Sequence, residues 1–340
     1  TYFYYVLERN ENILDKIYKF ESMINDDESF FLDLDEVEDI ILYYLNEDNF
    51  DYAEKAICYG IDLYPESLNI IILKSEFLLT TNKINEAEKL VTKFIKSHKN
   101  NSDLIFQKAK ILTSNKKYKQ SIKILTNLSY DSQLEFFVND LLFKNYMNIE
   151  NYTNAIKFGK KIIIKNPEDK ICFDKLISCF KLSKRNSEAI KFLNKFLDKN
   201  PYSTQAWYEL GKLYFEQKKI KESKACHDFA IISNENFSPS YIELGKIHEK
   251  QEDFSKAIYY YKIIDSQNKS SSFSLYRLSR CYEKLGDYEI SIRYLNRIVE
   301  EDPLYEKAWI SIAKYYLRNN DHDKAIENLN MALNIISKNY

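Results

Sequence analysis

The sequence predicts an all-α solenoid of helical hairpins, and three observations lead to this prediction. Small residues recur every 34 positions without a change of phase, apolar residues follow helical spacing twice in each interval, and the 340 residues include only five Gly and five Pro. A period of about 34 residues is typical of hairpin arrays, in which each hairpin buries its apolar face by stacking on its neighbours. The recurring small residues are Ala53, Ala87, Ser121, Ala155, Ala189, Ser223, Ala257, Ser291 and Ala325.

The first half of each repeat is predicted to be a helix. With Leu34 as position 1, position 4 is bulky in most repeats and position 11 is mostly aromatic or aliphatic, as at Trp207 and Tyr214. Together with position 7 or 8 they give the i, i+3, i+4, i+7 pattern of one helix face.

A turn and a second helix complete each repeat. Turn formers such as Gly286 and Asp287 stand at positions 14 to 16, and a second apolar face follows, as in Ile292, Leu295 and Ile298. In four repeats this helix ends before a proline, which cannot continue it. These prolines are Pro65, Pro167, Pro201 and Pro303.

The small residue at position 20 predicts a close crossing of the two helices, because a larger side chain would push them apart. Bulk at position 8 departs from this pattern in some repeats. At Phe143, we expect Gly159 at position 24 to provide the missing space by an exchange of volume.

These residues resemble the tetratricopeptide repeat family. The repeat from Thr204 shows Trp207, Leu210, Gly211 and Tyr214 in the spacing of that family, and the resemblance covers residues 34–339. It implies a right-handed superhelix whose inner, concave groove is built from the first helices, and a role in protein interaction. The pentatricopeptide repeat has a period one residue longer and would have lost register by nine places.

The predicted domain organisation is an N-terminal capping helix and acidic entry segment over residues 1–33, followed by nine repeats with no linker. The capping residues would be Val6, Leu7, Ile13, Leu14, Ile17, Phe20 and Ile24. The repeats are 34–67, 68–101, 102–135, 136–169, 170–203, 204–237, 238–271, 272–305 and 306–339.

Charge is unevenly distributed along the chain. The formal net charge is −2, yet residues 1–51 hold fifteen Asp and Glu against three Lys and Arg. This segment is interpreted either as a solvated entry helix with acids at its N-terminal dipole or as a docking site for a basic partner.

The cysteines and the hydropathy pattern bear on location. Five scattered cysteines are typical of reduced thiols, and the sequence has no 18-residue apolar run that would predict membrane insertion. We therefore expect a cytoplasmic protein.

The resemblance places repeat positions 2, 5, 6, 9, 12 and 13 in the groove. Position 9 is basic in six repeats, at Lys110, Lys144, Lys212, Lys246, Arg280 and Lys314, and groove aromatics include Tyr208, Phe215, Phe273 and Tyr276. Such a ladder suits a peptide or protein partner with acidic groups. Alternatively the lysines are only solvated, and the groove acids Glu209, Glu243, Glu249 and Glu283 would weaken the ladder by pairing with it.

Two alternatives to groove binding stay open. Ile326, Leu329, Leu333 and Ile336 lie at helical spacing on the last helix, so this C-terminal face could form a homodimer. Residues 101–200 hold nineteen Lys and Arg against ten Asp and Glu, which would suit RNA or a ribosome surface without sequence reading. Many of these lysines fall on second helices, and only seven of the chain's basic residues are Arg. We therefore expect a protein partner rather than a nucleic acid.

Catalytic and metal sites are not expected. The sequence has no glycine-rich phosphate loop, no nucleophile elbow and no HExxH motif. Cys226, His227 and His248 could approach one another, but the two histidines occupy packing positions and are interpreted as structural. The prediction is a non-catalytic scaffold or adaptor without a cofactor or a metal.

Overall fold

The computed structural model describes residues 13–25, 30–128, 134–267 and 269–338. Across these ranges the chain forms nineteen helices and no strand, which confirms the predicted all-α class. It divides into two compact units, Thr1–Lys184 and Arg185–Tyr340. The predicted handedness of the superhelix and the repeat boundaries stay predictions.

The first unit begins with a single helix, α1 (Ile13–Asn25), which packs on the first of four hairpins. The hairpins are α2 (Leu34–Asn46) with α3 (Phe50–Leu63), α4 (Leu68–Thr80) with α5 (Ile84–Ser97), α6 (Ser102–Ser114) with α7 (Tyr118–Leu128), and α8 (Glu135–Asn148) with α9 (Tyr152–Lys165). The unit ends with α10 (Lys170–Leu182). Successive hairpins stack on one another, and each first helix also contacts the first helix of the next hairpin.

The second unit begins with α11 (Asn186–Leu197) and continues with four hairpins. They are α12 (Thr204–Glu216) with α13 (Ile220–Ser233), α14 (Ser238–Lys250) with α15 (Phe254–Ser266), α16 (Ser272–Leu285) with α17 (Tyr288–Glu301), and α18 (Glu306–Arg318) with α19 (His322–Lys338). In each unit, the first-helix layer denotes the first helices of the hairpins, and the second-helix layer denotes their partners.

The tight turn inside each hairpin relies on one left-handed residue. Repeat position 15 has a positive φ throughout, between 53° and 62° in eight repeats and 88° at Gly286. The eight others are Asp48, Asn82, Lys116, Glu150, Lys184, Lys218, Glu252 and Asn320. Only glycine adopts this conformation without steric cost, so eight turns hold a side chain in a disfavoured backbone state.

The small residues at position 20 are all buried, which confirms the expected close helix crossing. Two of them add a specific contact: the hydroxyls of Ser121 and Ser223 donate to the backbone carbonyls of Ala109 and Gly211, each over 2.8 Å. Each acceptor lies at position 8 of the first helix. A side chain larger than Ala or Ser would separate the two backbones at this point.

The predicted exchange of volume between Phe143 and Gly159 is confirmed. A Cβ on Gly159 would lie 3.0 Å from Phe143 Cε2, closer than ordinary van der Waals contact. The opposite arrangement occurs in the second unit, where glycine takes position 8 and the large ring takes position 24. There a Cβ on Gly245 would lie 2.5 Å from Tyr261 Cζ. Each of these crossings has room for one ring.

Helix α1 caps the first hairpin through one face only. Ile17 and Phe20 are buried, and Ile13 and Ile24 pack against the same core. The expectation for Leu14 is wrong, since this side chain is 72% exposed. It lies about a quarter turn away from the buried stripe at 100° per residue. The other predicted capping residues, Val6 and Leu7, lie outside the described residues.

The acidic entry segment is partly described. Asp33 caps α2 by accepting from the backbone N–H of Glu36 over 2.8 Å, and the Glu36 side chain accepts from the Asp33 N–H in return. This capping box favours the interpretation of these acids as helix-stabilising groups. The acids at 26–28 lie outside the described residues.

Candidate partner-binding surface

The predicted groove cations of the second unit project from the first-helix layer, and each of three has a carboxylate of its own helix as partner. Lys212 Nζ lies 3.0 Å from Glu209 Oε1, and Lys246 Nζ lies 2.9 Å from Glu243 Oε1. Arg280 Nε lies 3.3 Å from Glu283 Oε2. All three pairs have i, i+3 spacing. The acids expected to pair with the ladder therefore do so at these three positions.

Lysines of this layer also contact aromatic rings. Lys212 Nζ lies 4.8 Å from the ring centroid of Tyr208, and Lys246 Nζ lies 5.2 Å from that of Phe273 on the next hairpin. Lys250 Nζ lies 4.8 Å from the ring of Phe215. Ammonium groups over ring faces are weakly favourable at such distances. Lys212 and Lys246 are thus each oriented between a ring and a carboxylate.

The environment of the Lys212 pair alters its titration. Burial alone would lower the pKa of Lys212, but the neighbouring Glu209 carboxylate raises it above its ordinary value overall. Burial also raises the pKa of Tyr208. At neutral pH this position therefore presents a charged ammonium group beside a neutral phenol.

Glu249 has a different role from the one expected. It pairs with Arg277 of the next hairpin, Nε to Oε1 2.7 Å, and the same oxygen accepts from the hydroxyl of buried Tyr261 over 2.6 Å. Glu283 similarly joins Arg280 to Arg318, whose Nη2 lies 2.9 Å from Oε1. These carboxylates connect successive hairpins, so they stabilise the layer as well as neutralise it.

The remaining ladder positions differ between the units. In the first unit, Lys110 pairs with Glu76 of the preceding hairpin, and Lys144 Nζ lies 2.7 Å from Asp140 Oδ2. In the second unit, Lys314 is exposed and makes no ion pair with any described residue. Tyr276 and Phe215 are half-buried at the layer surface. The structure therefore supports a surface with fixed charges, of which Lys314 is the cation without a carboxylate.

The C-terminal face is apolar and exposed. Leu329, Leu333 and Ile336 are 43%, 61% and 37% exposed on α19. Leu295, which stands at the same repeat position as Leu329 one hairpin earlier, is 3% exposed and belongs to the core shared with α18. The face that α17 buries against the following hairpin is thus open on α19.

The two histidines are buried, as expected from the packing positions they occupy in the repeat. His227 is 1% exposed and His248 is 4% exposed. Burial lowers the pKa of His227 to about 4, with the nearby Lys212 ammonium adding to the effect. The described residues include no group of three or more His, Cys, Asp or Glu side chains placed to hold a metal.

The thiols divide by exposure. Cys58 is exposed, whereas Cys172, Cys179, Cys226 and Cys281 are buried and reduced. Burial raises the pKa of Cys226 to about 12, which makes its thiolate scarce at neutral pH. None of the helices in the described part of the chain is both long and apolar enough to cross a membrane.

Several contacts of this surface could not be found from the sequence. The three i, i+3 pairs are visible as spacings, but Lys110 with Glu76 and Arg277 with Glu249 join different hairpins. The first of these pairs has one signal, because both residues stand at repeat position 9. The second pair has no such signal, because repeat positions 12 and 6 come together only when successive hairpins stack.

Comparisons with known proteins identify two stretches of the chain. Family models of the tetratricopeptide repeat match residues 276–339 and residues 204–226. No curated protein matches the sequence.

Solved structures with similarity include MamA, at 19% identity over 47% of this chain and 94% of that one, with a TM-score of 0.44. Another is YrrB, described as a TPR protein with an unusual peptide-binding site, at 21% identity over 52% of this chain and 91% of that one, with a TM-score of 0.43. A third is the Cut9–Hcn1 complex of the APC/C, at 15% identity over 89% of this chain and 60% of that one, with a TM-score of 0.43.

The family models match parts of the second unit, and the hairpins upstream keep the same 34-residue register. The chain therefore contains tetratricopeptide repeats at residues 204–226 and 276–339.

Proposed function

We propose that the protein is a non-catalytic scaffold that binds an extended segment of a partner protein along the first-helix layer of its second unit. The observation that carries the proposal is the alternation of oriented cations and rings on this layer. Lys212 contacts Tyr208 on its own helix, and Lys246 contacts Phe273 on the next hairpin. Helices hold these groups in place before a partner arrives, so little ordering cost falls on this chain.

The pairing of the cations defines the kind of segment that fits. A segment of high negative charge would have to compete with Glu209, Glu243 and Glu283 for the same ammonium and guanidinium groups. A segment with scattered carboxylates and apolar side chains between them suits the surface better, because the rings take up the apolar groups. Near Lys314 an acidic group would meet an unpaired ammonium group.

The test compares two triple variants as bait in a cell lysate. One is Lys212→Gln, Lys246→Gln and Arg280→Gln, which changes the first-helix layer of the second unit. The matched control is Lys221→Gln, Lys256→Gln and Arg293→Gln, which removes the same charge from exposed positions of the second-helix layer. The proposal expects a defined set of proteins that the control retains and the layer variant loses at least tenfold. Equal retention by both variants would contradict it.

A second candidate function is self-assembly through the C-terminal face. The observation that favours it is the exposure of Leu329 and Leu333 at positions whose equivalents in α17 lie against the next hairpin. Two copies could cover this face by packing their α19 helices against each other. A concentration-dependent mass measured by light scattering would test this candidate separately from groove binding.

A further inference from the structure

The second-helix layer of the first unit carries a concentration of positive charge. Helices α5, α7 and α9 together contain nine Lys and two Glu, and α7 and α9 contain no acid. The second-helix layer of the second unit is balanced by comparison: α13 has two Lys and two acids, and α17 has two Arg and three Glu. The charge therefore belongs to a defined face and not to the second helices in general.

The lysines of this face follow the repeat. Lys89, Lys123 and Lys157 all stand at repeat position 22, so each hairpin adds one at the same place on its second helix. Lys93 and Lys119 lie one helical turn away from two of them. All five side chains are exposed. These five residues are called the outer lysine ladder below.

The ladder is free of carboxylates, in contrast to the groove cations. None of its five ammonium groups forms an ion pair with a residue in the described ranges of the chain. Two acids of these hairpins pair with other residues: Glu88 accepts from Asn115 and pairs with Lys117, and Glu135 pairs with Lys161 and Lys165. Glu86 lies three residues before Lys89 but forms no ion pair with it. Lys93 and Lys157 each lie over a neighbouring ring, which leaves their charge unneutralised. A cation without a carboxylate partner keeps mobile counterions, and an incoming polyanion gains free energy by releasing them.

The other side chains on the surface of α5, α7 and α9 indicate which kind of polyanion fits. In the described parts of α5, α7 and α9, one large apolar side chain is exposed: Ile164, at 64%. A protein interface needs an apolar core and is depleted in Lys, and an interfacial membrane helix needs an apolar face. The described residues of these three helices include no exposed aromatic ring on which a base could stack. They also include no arginine that could read the edge of a base. What fits is a regular row of phosphates.

We propose that the outer lysine ladder binds the phosphate backbone of a nucleic acid without reading its bases. This revises the expectation of a protein partner alone, because the alignment of these lysines and their lack of carboxylate partners are features of the folded chain. The site is separate from the first-helix layer. A failure of this proposal would leave the proposed groove function untouched, and a failure of the groove function would leave this proposal untouched.

The experiment measures fluorescence anisotropy of labelled 20-nucleotide oligo(U) and oligo(dT) with the full chain at several salt concentrations. We expect similar affinities for the two strands, because the phosphates are common to both. The variant Lys89→Glu, Lys123→Glu and Lys157→Glu should weaken binding at low salt by more than about tenfold. It should also reduce the slope of log K against log salt by about 2, at roughly 0.7 per phosphate contact on a single strand.

The matched control is Lys221→Glu, Lys284→Glu and Lys307→Glu, which makes the same change of net charge at exposed lysines of the second unit. It should keep affinity within about twofold. Helical circular dichroism and melting temperature check that both variants are folded. Equal losses in the two variants, no binding by the unchanged chain at low salt, or binding to phosphatidylserine vesicles without binding to either oligonucleotide would each overturn the proposal.

Discussion

Gly211 and His227 share one space where α12 crosses α13. The imidazole Cε1 and Nε2 atoms lie 2.8 Å from the position that a Cβ on residue 211 would take. The hydroxyl of Ser223 donates to the Gly211 carbonyl at the same crossing. The helices therefore approach closely because one residue has no side chain, and the ring of the other fills the room that remains.

This relationship predicts a strong energetic coupling. Gly211→Ala should destabilise the chain, because overpacking costs about 1–3 kcal/mol and the helical preference of Ala returns at most about 1 kcal/mol. His227→Leu should relieve this effect, since it recreates the pair that Ala109 and Leu125 form in the first unit. Melting temperatures of the two single variants and the double variant give the coupling, which should exceed about 0.5 kcal/mol. Additive effects would show that the two residues do not share space.

The left-handed turn residues predict a simple route to greater stability. Lys218 has a φ of 62°, and Lys218→Gly should raise stability by about 0.5–1 kcal/mol by removing backbone strain, net of the extra freedom that glycine gains when unfolded. Gly286→Ala should lower stability by about 1 kcal/mol, although nothing lies within 4 Å of the added Cβ. Thermal melting measures both changes. Lys221→Gly, within α13, is the control and should destabilise by about 1 kcal/mol.

Burial of His227 predicts a pH dependence of stability. Its pKa falls from 6.5 to about 4 on folding, so the unfolded chain binds the proton more readily. The contribution of this residue is complete above pH 6.5 and is lost progressively down to about pH 4. Between pH 7 and pH 5 the chain should lose on the order of 2 kcal/mol that His227→Leu does not lose. Urea titrations at the two pH values measure the difference, and an equal loss in both proteins would contradict the assignment.

The repeat register made much of the fold predictable. The buried small residue at position 20, the turn near position 15 and the exchange of Phe143 with Gly159 all follow from which residues recur every 34 places. Leu14 shows the limit of this reasoning, because α1 lies before the repeats and no register indicates which side of it is buried. The 34-residue register identifies the buried face of a helix only for helices within the repeats.

The candidate surfaces were less predictable than the fold. Position 9 carries cations in the sequence, but their partners depend on rotamers and on stacking, so Lys212 and Lys314 look alike in sequence and differ in structure. For the outer lysine ladder, the positions could be predicted but the freedom from acids could not. Its register is visible in the sequence, whereas the engagement of Glu88 and Glu135 with other residues is visible only in the folded chain.

The C-terminal face predicts a test of self-assembly. If two copies pack through α19, Leu329→Glu with Leu333→Glu should convert a dimer to a monomer, because the buried charge lacks a partner. Light scattering after size exclusion measures the mass. Ile232→Glu with Leu304→Glu changes two other side chains of the same unit, 73% and 71% exposed, and should leave the mass unchanged. A monomeric unchanged chain would exclude this face as a homodimer interface.

The most direct test of the proposed groove function is hydrogen–deuterium exchange on the full chain with a protein partner retained from the lysate. Binding along the first-helix layer of the second unit should slow amide exchange in α12, α14 and α16 and leave α13, α15 and α17 unchanged, since protection reports where opening is suppressed. The Lys212→Gln, Lys246→Gln and Arg280→Gln variant should show no protection at the same partner concentration. Protection confined to α19 or to the second-helix layer would contradict the proposal.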